Sequence, residues 1–326
     1  MIRILLRWLR RTKIARAIHR FAERVSLPGF DGHSLYEVSM FFISGINKGG
    51  LRTRAASMAY NFFLALFPTI IFLFTLIPYI PIKNFQERLF ELIQQLLPEN
   101  SFKAMHDTID GIINRQNSGL LSIGFVAALY FSTGGMTAMM SAFNRSIHIR
   151  ERRPGWKQQI IALALVLVLT ILIVAVVSLI VGSELLLRSI VDQADVVRMV
   201  IIIGRWFMLG LFFIVVIGIY YRYGPSQRMH KHLISPGTIL ATVLIIVTSI
   251  GFAWFIDNFG RYNALYGSIG SIIVFLLFIF YNSMMLLVGF ELDASIAEAR
   301  FKRKSLLELQ ETKEHLEDDL DDEKAE

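Results

Sequence analysis

The sequence predicts an all-α integral membrane protein, a six-transmembrane-helix bundle with interfacial amphipathic N-terminal helices and an external helical hairpin. Hydrophobic residues make up 54% and charged residues 18% of the 326 positions. The apolar residues are gathered in six runs, each close to the roughly 20 residues that cross a bilayer as a helix. The six runs lie near residues 60–80, 119–141, 159–182, 199–221, 236–256 and 269–290.

The distribution of positive charge predicts the orientation. The net charge is +7, with 33 Lys and Arg. If the segments between spans alternate across the membrane, 25 of these residues lie on the side of both termini and 7 on the other side. Lys and Arg are enriched in cytoplasmic loops, so we expect a multi-pass protein of the bacterial inner (plasma) membrane with both termini cytoplasmic. The basicity is therefore a topology signal, and no nucleic-acid partner is expected.

Several chemistries lack their usual sequence signals. Cysteine is absent, which excludes disulfides and thiolate metal sites. The seven histidines form no metal-binding pattern, and there is no Gly/Lys phosphate loop and no Ser/His arrangement of a hydrolase. We therefore expect no metal, no cofactor, no enzymatic activity and no use of ATP by the chain itself.

Residues 1–50 precede the membrane domain and are basic and amphipathic. Residues 1–25 place Ile14, Ile18 and Phe21 on one helix face and basic residues elsewhere. Such a helix lies on an anionic leaflet, and a nucleic-acid-binding arm is the alternative. A second amphipathic segment around residues 35–46 is too short to span and is expected at the interface.

The membrane domain, predicted over residues 51–292, begins with a span that contains Pro68. Proline removes a backbone donor, so a kink or a break is expected near Leu64 to Phe67. Asn61 and the carbonyl groups freed by Pro68 could form a polar site at membrane depth. The alternative is an ordinary kinked helix with one interhelical hydrogen bond.

Residues 82–118 are predicted to form the external helical hairpin, with Pro98 between two amphipathic helices. They could gate a path or form a static cap. In the second span, Gly134 and Gly135 are adjacent, which favours close packing against a neighbouring helix.

The fourth span carries Arg205, about six residues or roughly 9 Å inside its outer end. An arginine at this depth is costly unless it snorkels, pairs or lines a polar cavity. Glu184 and Asp257, near the outer ends of their spans, are the candidate partners. Snorkelling and an inward-facing role remain alternatives. The fifth span begins at Ser235-Pro236, a capping residue followed by proline at the first helical position.

The last two spans are predicted to form a hairpin around a Gly/Asn/Tyr-rich turn at 257–268. Tyr262, Tyr266 and Gly267 lie in this turn. Asn282 lies in the inner half of the sixth span, and Glu291 lies at its cytoplasmic end.

Glu291 could form a structural ion pair with Arg54 or Arg145, which the topology places on the same side. A proton-coupling carboxylate is the alternative role. Residues 293–326 form a charged cytoplasmic tail. From Glu314 onward eight acidic residues face one lysine, so the end of the tail is predicted to be solvated and disordered.

A set of short segments in order along residues 35–300 resembles the YihY/BrkB family of bacterial inner-membrane proteins, some formerly labelled ribonuclease BN. The segments are Arg54-Ala55-Ala56 through Ala65-Leu66-Phe67-Pro68, Phe143-Asn144, Arg222-Tyr-Gly-Pro225, Ser235-Pro236-Gly237, Tyr262 with Leu265-Tyr266-Gly267-Ser268, and Gly289-Phe290-Glu291-Leu292. The chain departs conservatively from the family pattern at two places. It has Phe278-Ile279-Phe280-Tyr281 where the family often has Trp-x-Tyr, and Phe290 where the family usually has a small residue. The resemblance implies six spans and an inner-membrane location. It implies no agreed substrate, because the family has been linked to transport, envelope lipids and serum resistance.

The leading functional hypothesis is a transporter of an anionic lipid or amphiphile, in which Arg205 attracts the headgroup. Its other substrate-path candidates are Asn61, Pro68, Asn282, Tyr262, Tyr266 and Gly267. The alternatives are an ion or solute exchanger coupled through Glu291 and a non-transporting membrane scaffold, and a ribonuclease ranks last. The expected partners are membrane lipids, particularly anionic headgroups. Small residues on several spans permit a homodimer, but they serve packing within one chain equally well.

Overall fold

The computed structural model describes residues 23, 25–26, 29–30, 32–79, 117–146, 153–190, 195–227, 232–258 and 260–325. The described residues are helical, with turns and loops between the helices. The helices are α1 (Leu35–Lys48), α2 (Leu51–Leu76, followed by a 3₁₀ turn at Ile77–Tyr79), α3 (Ser118–Asn144), α4 (Gly155–Ile190), α5 (Asp195–Tyr223), α6 (Pro236–Asn258) and α7 (Gly260–Ala325). Six of the described helices, α2 to α7, contain stretches long and apolar enough to cross a membrane. The predicted six-span, all-α membrane fold is confirmed. The predicted amphipathic helix at 1–25 and almost all of the predicted hairpin at 82–118 lie outside the described residues.

The six long helices close into a ring in chain order. Helix α2 packs against α3, α3 against α4, α4 against α5, α5 against α6 and α6 against α7, and α7 returns to α2. Helix α1 packs across α7 beside the ring. Most packing within the bundle therefore joins helices that are neighbours in sequence, with α2 and α7 closing the circle.

The buried core lies at one end of this ring. Ala55 is buried near the start of α2, Phe143 near the end of α3, Leu165 in the first third of α4, and Tyr221 near the end of α5. Ala241, near the start of α6, belongs to the same cluster. Successive helices therefore run in alternating directions, and the ends that meet in the core are those that the charge distribution assigns to the cytoplasm.

Helix α2 continues through Pro68, so the predicted interruption does not break it. Close packing against α3 holds this half of the helix: a Cβ on Gly124 would lie 3.4 Å from the Cα of Phe72. The hydroxyl of Thr69, which follows the proline, donates to the carbonyl of Ala65 at 2.7 Å. A proline inside a membrane helix is tolerated where packing and side-chain hydrogen bonds compensate for the missing donor.

Helix α7 differs most from the sequence prediction. The turn predicted at 257–268 is much shorter, because α6 ends at Asn258 and α7 begins at Gly260. The tail predicted to be disordered is helical as far as Ala325. The 66 residues of α7 extend over about 100 Å at 1.5 Å per residue. The run contains no proline, and Leu, Glu, Lys and Ala outside the membrane favour helix despite the acidic charge.

Candidate functional site: a buried charge cluster at one end of the bundle

The first component of the site is Arg54, in the first turn of α2. Its side chain is 2% exposed. The Nε atom donates to the carbonyl of Ala142 at 2.7 Å, and Nη1 donates to the carbonyl of Gly49 at 3.3 Å and to Oε1 of Glu291 at 2.5 Å. Gly50, with φ of 61°, forms the tight turn that starts α2 just before this arginine. The guanidinium therefore joins the start of α2 to α3 and α7.

Glu291 on α7 is fully buried and links three segments of the chain. Its Oε1 atom accepts from Arg54, and its Oε2 atom accepts from the hydroxyl of Ser146 at 2.9 Å. The backbone carbonyl of Glu291 accepts from the hydroxyl of Ser295 at 2.6 Å. Of the two partners considered from the sequence, Arg54 forms the ion pair and Arg145 is exposed. Ser146, the residue after Arg145, supplies the second hydrogen bond.

The third feature of the site is the Nη2 nitrogen of the Arg54 guanidinium. The Nη2 atom of Arg54 is buried and has no hydrogen-bond partner among the described residues. Buried polar atoms are nearly always hydrogen-bonded, so an exception points to a water molecule, an ion or a functional role. A guanidinium with a free N–H edge is suited to bind a carboxylate or a phosphate.

A second buried carboxylate, two residues further along α7, caps helix α6. Asp293 is 1% exposed, and its carboxylate accepts from the hydroxyl of Ser235 at 2.5 Å and from the backbone N–H of Gly237 at 2.8 Å. Ser235 also accepts from the backbone N–H of Thr238 at 3.1 Å. The sequence predicted Ser235 as the cap. Asp293 adds a negative charge at the positive end of the helix dipole.

Phe290, which precedes Glu291, forms an aromatic contact in the core. The ring of Phe290 stacks on Phe143, with the centroids 4.3 Å apart, and meets the edge of Tyr221 at 5.6 Å. The Tyr221 hydroxyl donates to the carbonyl of Leu286 at 2.5 Å. Phe290 is fully buried. It thus holds the ends of α3 and α5 against α7.

The crossing of α6 and α7 requires glycine. A Cβ on Gly289 would lie 2.5 Å from the carbonyl oxygen of Gly237, 2.6 Å from Cβ of Ala241 and 2.7 Å from the hydroxyl of Tyr221. We call Gly289, Phe290, Glu291 and Asp293 the 289–293 cluster. Within five residues it provides a close helix crossing, an aromatic contact, an ion pair and a helix cap.

The candidate path residues on α2 and α7 lie farther into the membrane domain. Asn61 donates to its own helix at the carbonyl of Ser57, and Asn282 donates to the carbonyl of Phe278. The Oδ1 atom of Asn282 is buried and has no partner among the described residues. Pro68 lies within α2, one turn beyond Ala65.

Other predicted site residues lie where side chains are not described. Their backbones lie in the described helices, but their side chains are not described. These residues are Glu184 on α4, Arg205 on α5, Asp257 on α6, and Tyr262 and Tyr266 on α7. The surroundings of Gly267 on α7 are not described either. The interactions predicted for these residues remain predictions.

The paired glycines of α3 behave differently from each other. A Cβ on Gly135 would lie 2.9 Å from Cδ1 of Phe62 on α2, whereas a Cβ on Gly134 would meet no atom within 4 Å. Close packing against α2 therefore accounts for Gly135, as the sequence favoured. Within the described ranges, no three His, Cys, Asp or Glu side chains are grouped in a way that could hold a metal ion.

The fold and the buried charges define a helical membrane protein whose core is fixed around the 289–293 cluster. The chain belongs to the family described as Virulence factor BrkB, whose model matches residues 42–314. The matched region contains Arg54, Ser146, Asn282 and the 289–293 cluster.

Curated relatives give the same assignment. The chain is 30% identical to the "Putative ribonuclease-like protein YfkH" of Bacillus subtilis over 78% of this chain and 92% of the relative. It is 24% identical to a "UPF0761 membrane protein" of Tolumonas auensis over 81% of this chain and 87% of that protein. A UPF0761 membrane protein of Psychrobacter is also 24% identical, over 83% of this chain and 50% of the relative. No solved structure matches the chain.

Proposed function

We propose that this chain is a membrane transporter that handles an anionic lipid or other anionic amphiphile of the bacterial envelope. The observation that carries the proposal is the buried Arg54–Glu291 ion pair, with the Nη2 edge of the arginine unpartnered among the described residues. Burying two charges costs several kcal/mol per ion before their attraction is counted, and well-packed apolar residues would often be as stable. Ionisable residues within membrane domains therefore point first to function.

The chemistry of the pair favours an anionic substrate. A phosphate or carboxylate that reached Nη2 would compete with Glu291 for the same guanidinium. Release of Glu291 would loosen the contact between α2 and α7, the pair of helices that closes the ring. Substrate binding and opening of this end of the bundle would then be coupled through one residue.

The polar side chains beyond the pair extend the proposed path. Asn61 lies seven residues from Arg54 along α2, about 10 Å, and Asn282 lies nine residues from Glu291 along α7, about 13 Å. Because α2 and α7 are neighbours and run in opposite directions, both asparagines lie on the same side of the ion pair at similar depth. Pro68 and Arg205 lie farther from the pair, and Tyr262, Tyr266 and Gly267 lie towards the opposite end of α7.

An ion or solute exchanger is the second candidate, favoured by the complete burial of Glu291. A carboxylate whose two oxygens accept from Arg54 and Ser146 could couple transport to proton movement by exchanging one of these partners. This function predicts activity that follows a pH gradient and that disappears in Glu291→Gln. Activity independent of the gradient would leave the lipid proposal as the better account.

The cellular setting is also part of the proposal. The chain resides in the bacterial inner membrane with both termini in the cytoplasm, contacts anionic lipids and is not an enzyme. The alternating helix directions support this topology, because they bring together at one end of the ring the helix ends that flank the positively charged segments. Cleavage of RNA by purified, nuclease-free protein that is lost in a point variant would contradict the non-enzymatic assignment.

Mass spectrometry of co-purifying lipids tests the substrate class. We expect one anionic lipid class to be enriched with the wild-type protein and depleted in Arg54→Gln and in Arg205→Ala. The matched control is Arg52→Gln, which removes an exposed arginine two residues from Arg54. A lipid profile equal to that of the bulk membrane in all four proteins would overturn the anionic-lipid proposal.

A further inference from the structure

A partly open cavity, lined mainly by polar and charged residues, lies outside the core, between the start of α1 and the part of α7 that follows the bundle. Its volume is about 320 Å³. The residues that line it are Gly32, His33, Ser34, Glu37, Lys302, Arg303 and Leu306. Nothing in the proposed transport path uses these residues.

Two cations, Lys302 and Arg303, line the α7 side of the cavity. Lys302 and Arg303 are exposed, and neither forms an ion pair with a described residue. The ammonium group of Lys302 lies 5.8 Å from the centroid of the Phe41 ring on α1. This contact holds the lysine near α1 while its charge stays accessible.

The opposite wall is formed by His33, Ser34 and Glu37 at the start of α1. His33 is 4% exposed, and its Nδ1 atom lies 3.3 Å from Oε2 of Glu37. Helix α1 begins at this wall, where Ser34 caps the backbone N–H of Glu37, so the positive end of its dipole faces the cavity.

The cavity lies beyond residue 290, the predicted cytoplasmic end of the last span, where lipid headgroups are expected. Lys302 is eleven residues beyond Glu291, which is about 16 Å along α7 from the buried ion pair. Anionic lipid headgroups are bound by Lys and Arg just outside the membrane.

We propose that this cavity binds a phosphate group, either of an anionic lipid headgroup or free in solution. Lys302 and Arg303 bind the phosphate oxygens from α7, while the positive end of the α1 dipole faces them from the other side. Glu37 is the one described lining residue with the opposite charge, and it orients His33. The site is separate from the Arg54–Glu291 pair, so the inference does not depend on the transport proposal.

Binding to the full-length protein tests the site with two double variants of equal charge change. Lys302→Gln/Arg303→Gln removes both cations from the cavity. Arg52→Gln/Lys304→Gln is the control, because Arg52 is exposed and Lys304 pairs with Glu308 on the helix surface. We expect binding to nanodisc or micelle phosphatidylglycerol, compared with phosphatidylcholine, to weaken about tenfold or more in the first variant and little in the second.

A gain-of-binding variant guards against a loss caused by misfolding. Glu37→Gln removes the carboxylate and keeps a hydrogen-bonding group beside His33, so phosphate affinity is expected to rise severalfold. Inorganic phosphate is titrated separately, with the thermal midpoint of the protein as readout. Stabilisation by phosphate with the same dependence on the variants assigns the site to the phosphate group from either source, and an effect confined to phosphatidylglycerol assigns it to the lipid headgroup. Equal affinities of the two double variants, or no gain in Glu37→Gln, would overturn the proposal.

Discussion

At the scale of single residues, the 289–293 cluster explains why the core forms where it does. Each of its side chains reaches a different helix: Phe290 contacts α3 and α5, Glu291 contacts α2 and Asp293 contacts α6. Gly289 contributes by lacking a side chain. The sequence singled out Glu291 and offered Arg54 or Arg145 as its partner from topology, and Arg54 forms the ion pair.

Other members of the site could not be predicted from the sequence. Ser146 and Asp293 meet their partners across 145 and 58 positions of the chain. Hydropathy places a helix in the membrane but does not fix how one helix is rotated or shifted against another. The sequence therefore offered Arg145 as an alternative to Arg54 and did not indicate Ser146, whose hydroxyl donates to Glu291.

Gly289→Ala is predicted to destabilise the bundle by about 1–3 kcal/mol or more, because the new methyl group would overlap Gly237, Ala241 and Tyr221. The control is Gly251→Ala on α6, where a Cβ meets no atom within 4 Å. That change should be neutral or stabilise the helix. Thermal unfolding in detergent measures both. Equal midpoints for the two variants would contradict the close crossing of α6 and α7.

The Arg54–Glu291 pair predicts strong coupling between its members. Arg54→Gln and Glu291→Gln should each cost about 3–5 kcal/mol, because each leaves the other charge buried and unpaired. The double variant should cost much less than the sum of the two. Denaturant unfolding of the four proteins gives this double-mutant cycle. Additive effects would show that the two side chains do not depend on each other.

At the scale of helices, sequence patterns predicted which segments are helical better than where the helices end. The apolar run of the third span was predicted over 159–182, whereas α4 extends over Gly155–Ile190. Hydropathy marks only the part of a helix that crosses the bilayer. Helix α7 shows the same effect on a larger scale, because neither its Gly/Tyr-rich start nor its acidic end carries an apolar signal.

Asp293 is predicted to stabilise the start of α6. In Asp293→Ala, Gly237 loses its acceptor, so hydrogen exchange at the backbone amides of residues 237–239 should become faster. Thr242→Ala is the control, because its hydroxyl donates within α6 to the carbonyl of Thr238 and, among the described residues, to no other helix. Equal exchange at the start of α6 in both variants would exclude capping by Asp293.

The length of α7 gives a second prediction for a single helix. Because the chain has no cysteine, spin labels can be attached at Lys304→Cys and Lys324→Cys without further changes. Twenty helical residues separate these positions by about 30 Å. A narrow distance distribution near that value is expected from pulsed electron paramagnetic resonance. A broad distribution of distances between the two labels would contradict a continuous helix and would favour the disordered tail that the composition predicts.

At the scale of the whole molecule, the six helices form a ring whose buried core lies at one end. The ring is closed by the joint at which α7 packs against α2. The sequence predicted the number of spans and their alternation, because hydropathy and charge act on each segment independently. It did not predict the closure, which depends on contacts between the first and last spans. The proposed transport function is located at this joint, where the buried Arg54–Glu291 ion pair lies.

Movement of a fluorescent phosphatidylglycerol between leaflets of proteoliposomes tests that claim most directly. The wild-type protein and Arg52→Gln should accelerate the movement relative to protein-free liposomes. The Arg54→Gln/Glu291→Gln variant, which removes the charges but leaves no buried charge unpaired, should fold and lose this activity. No acceleration by the wild-type protein, or equal acceleration by all three, would contradict a transport role for the Arg54–Glu291 pair.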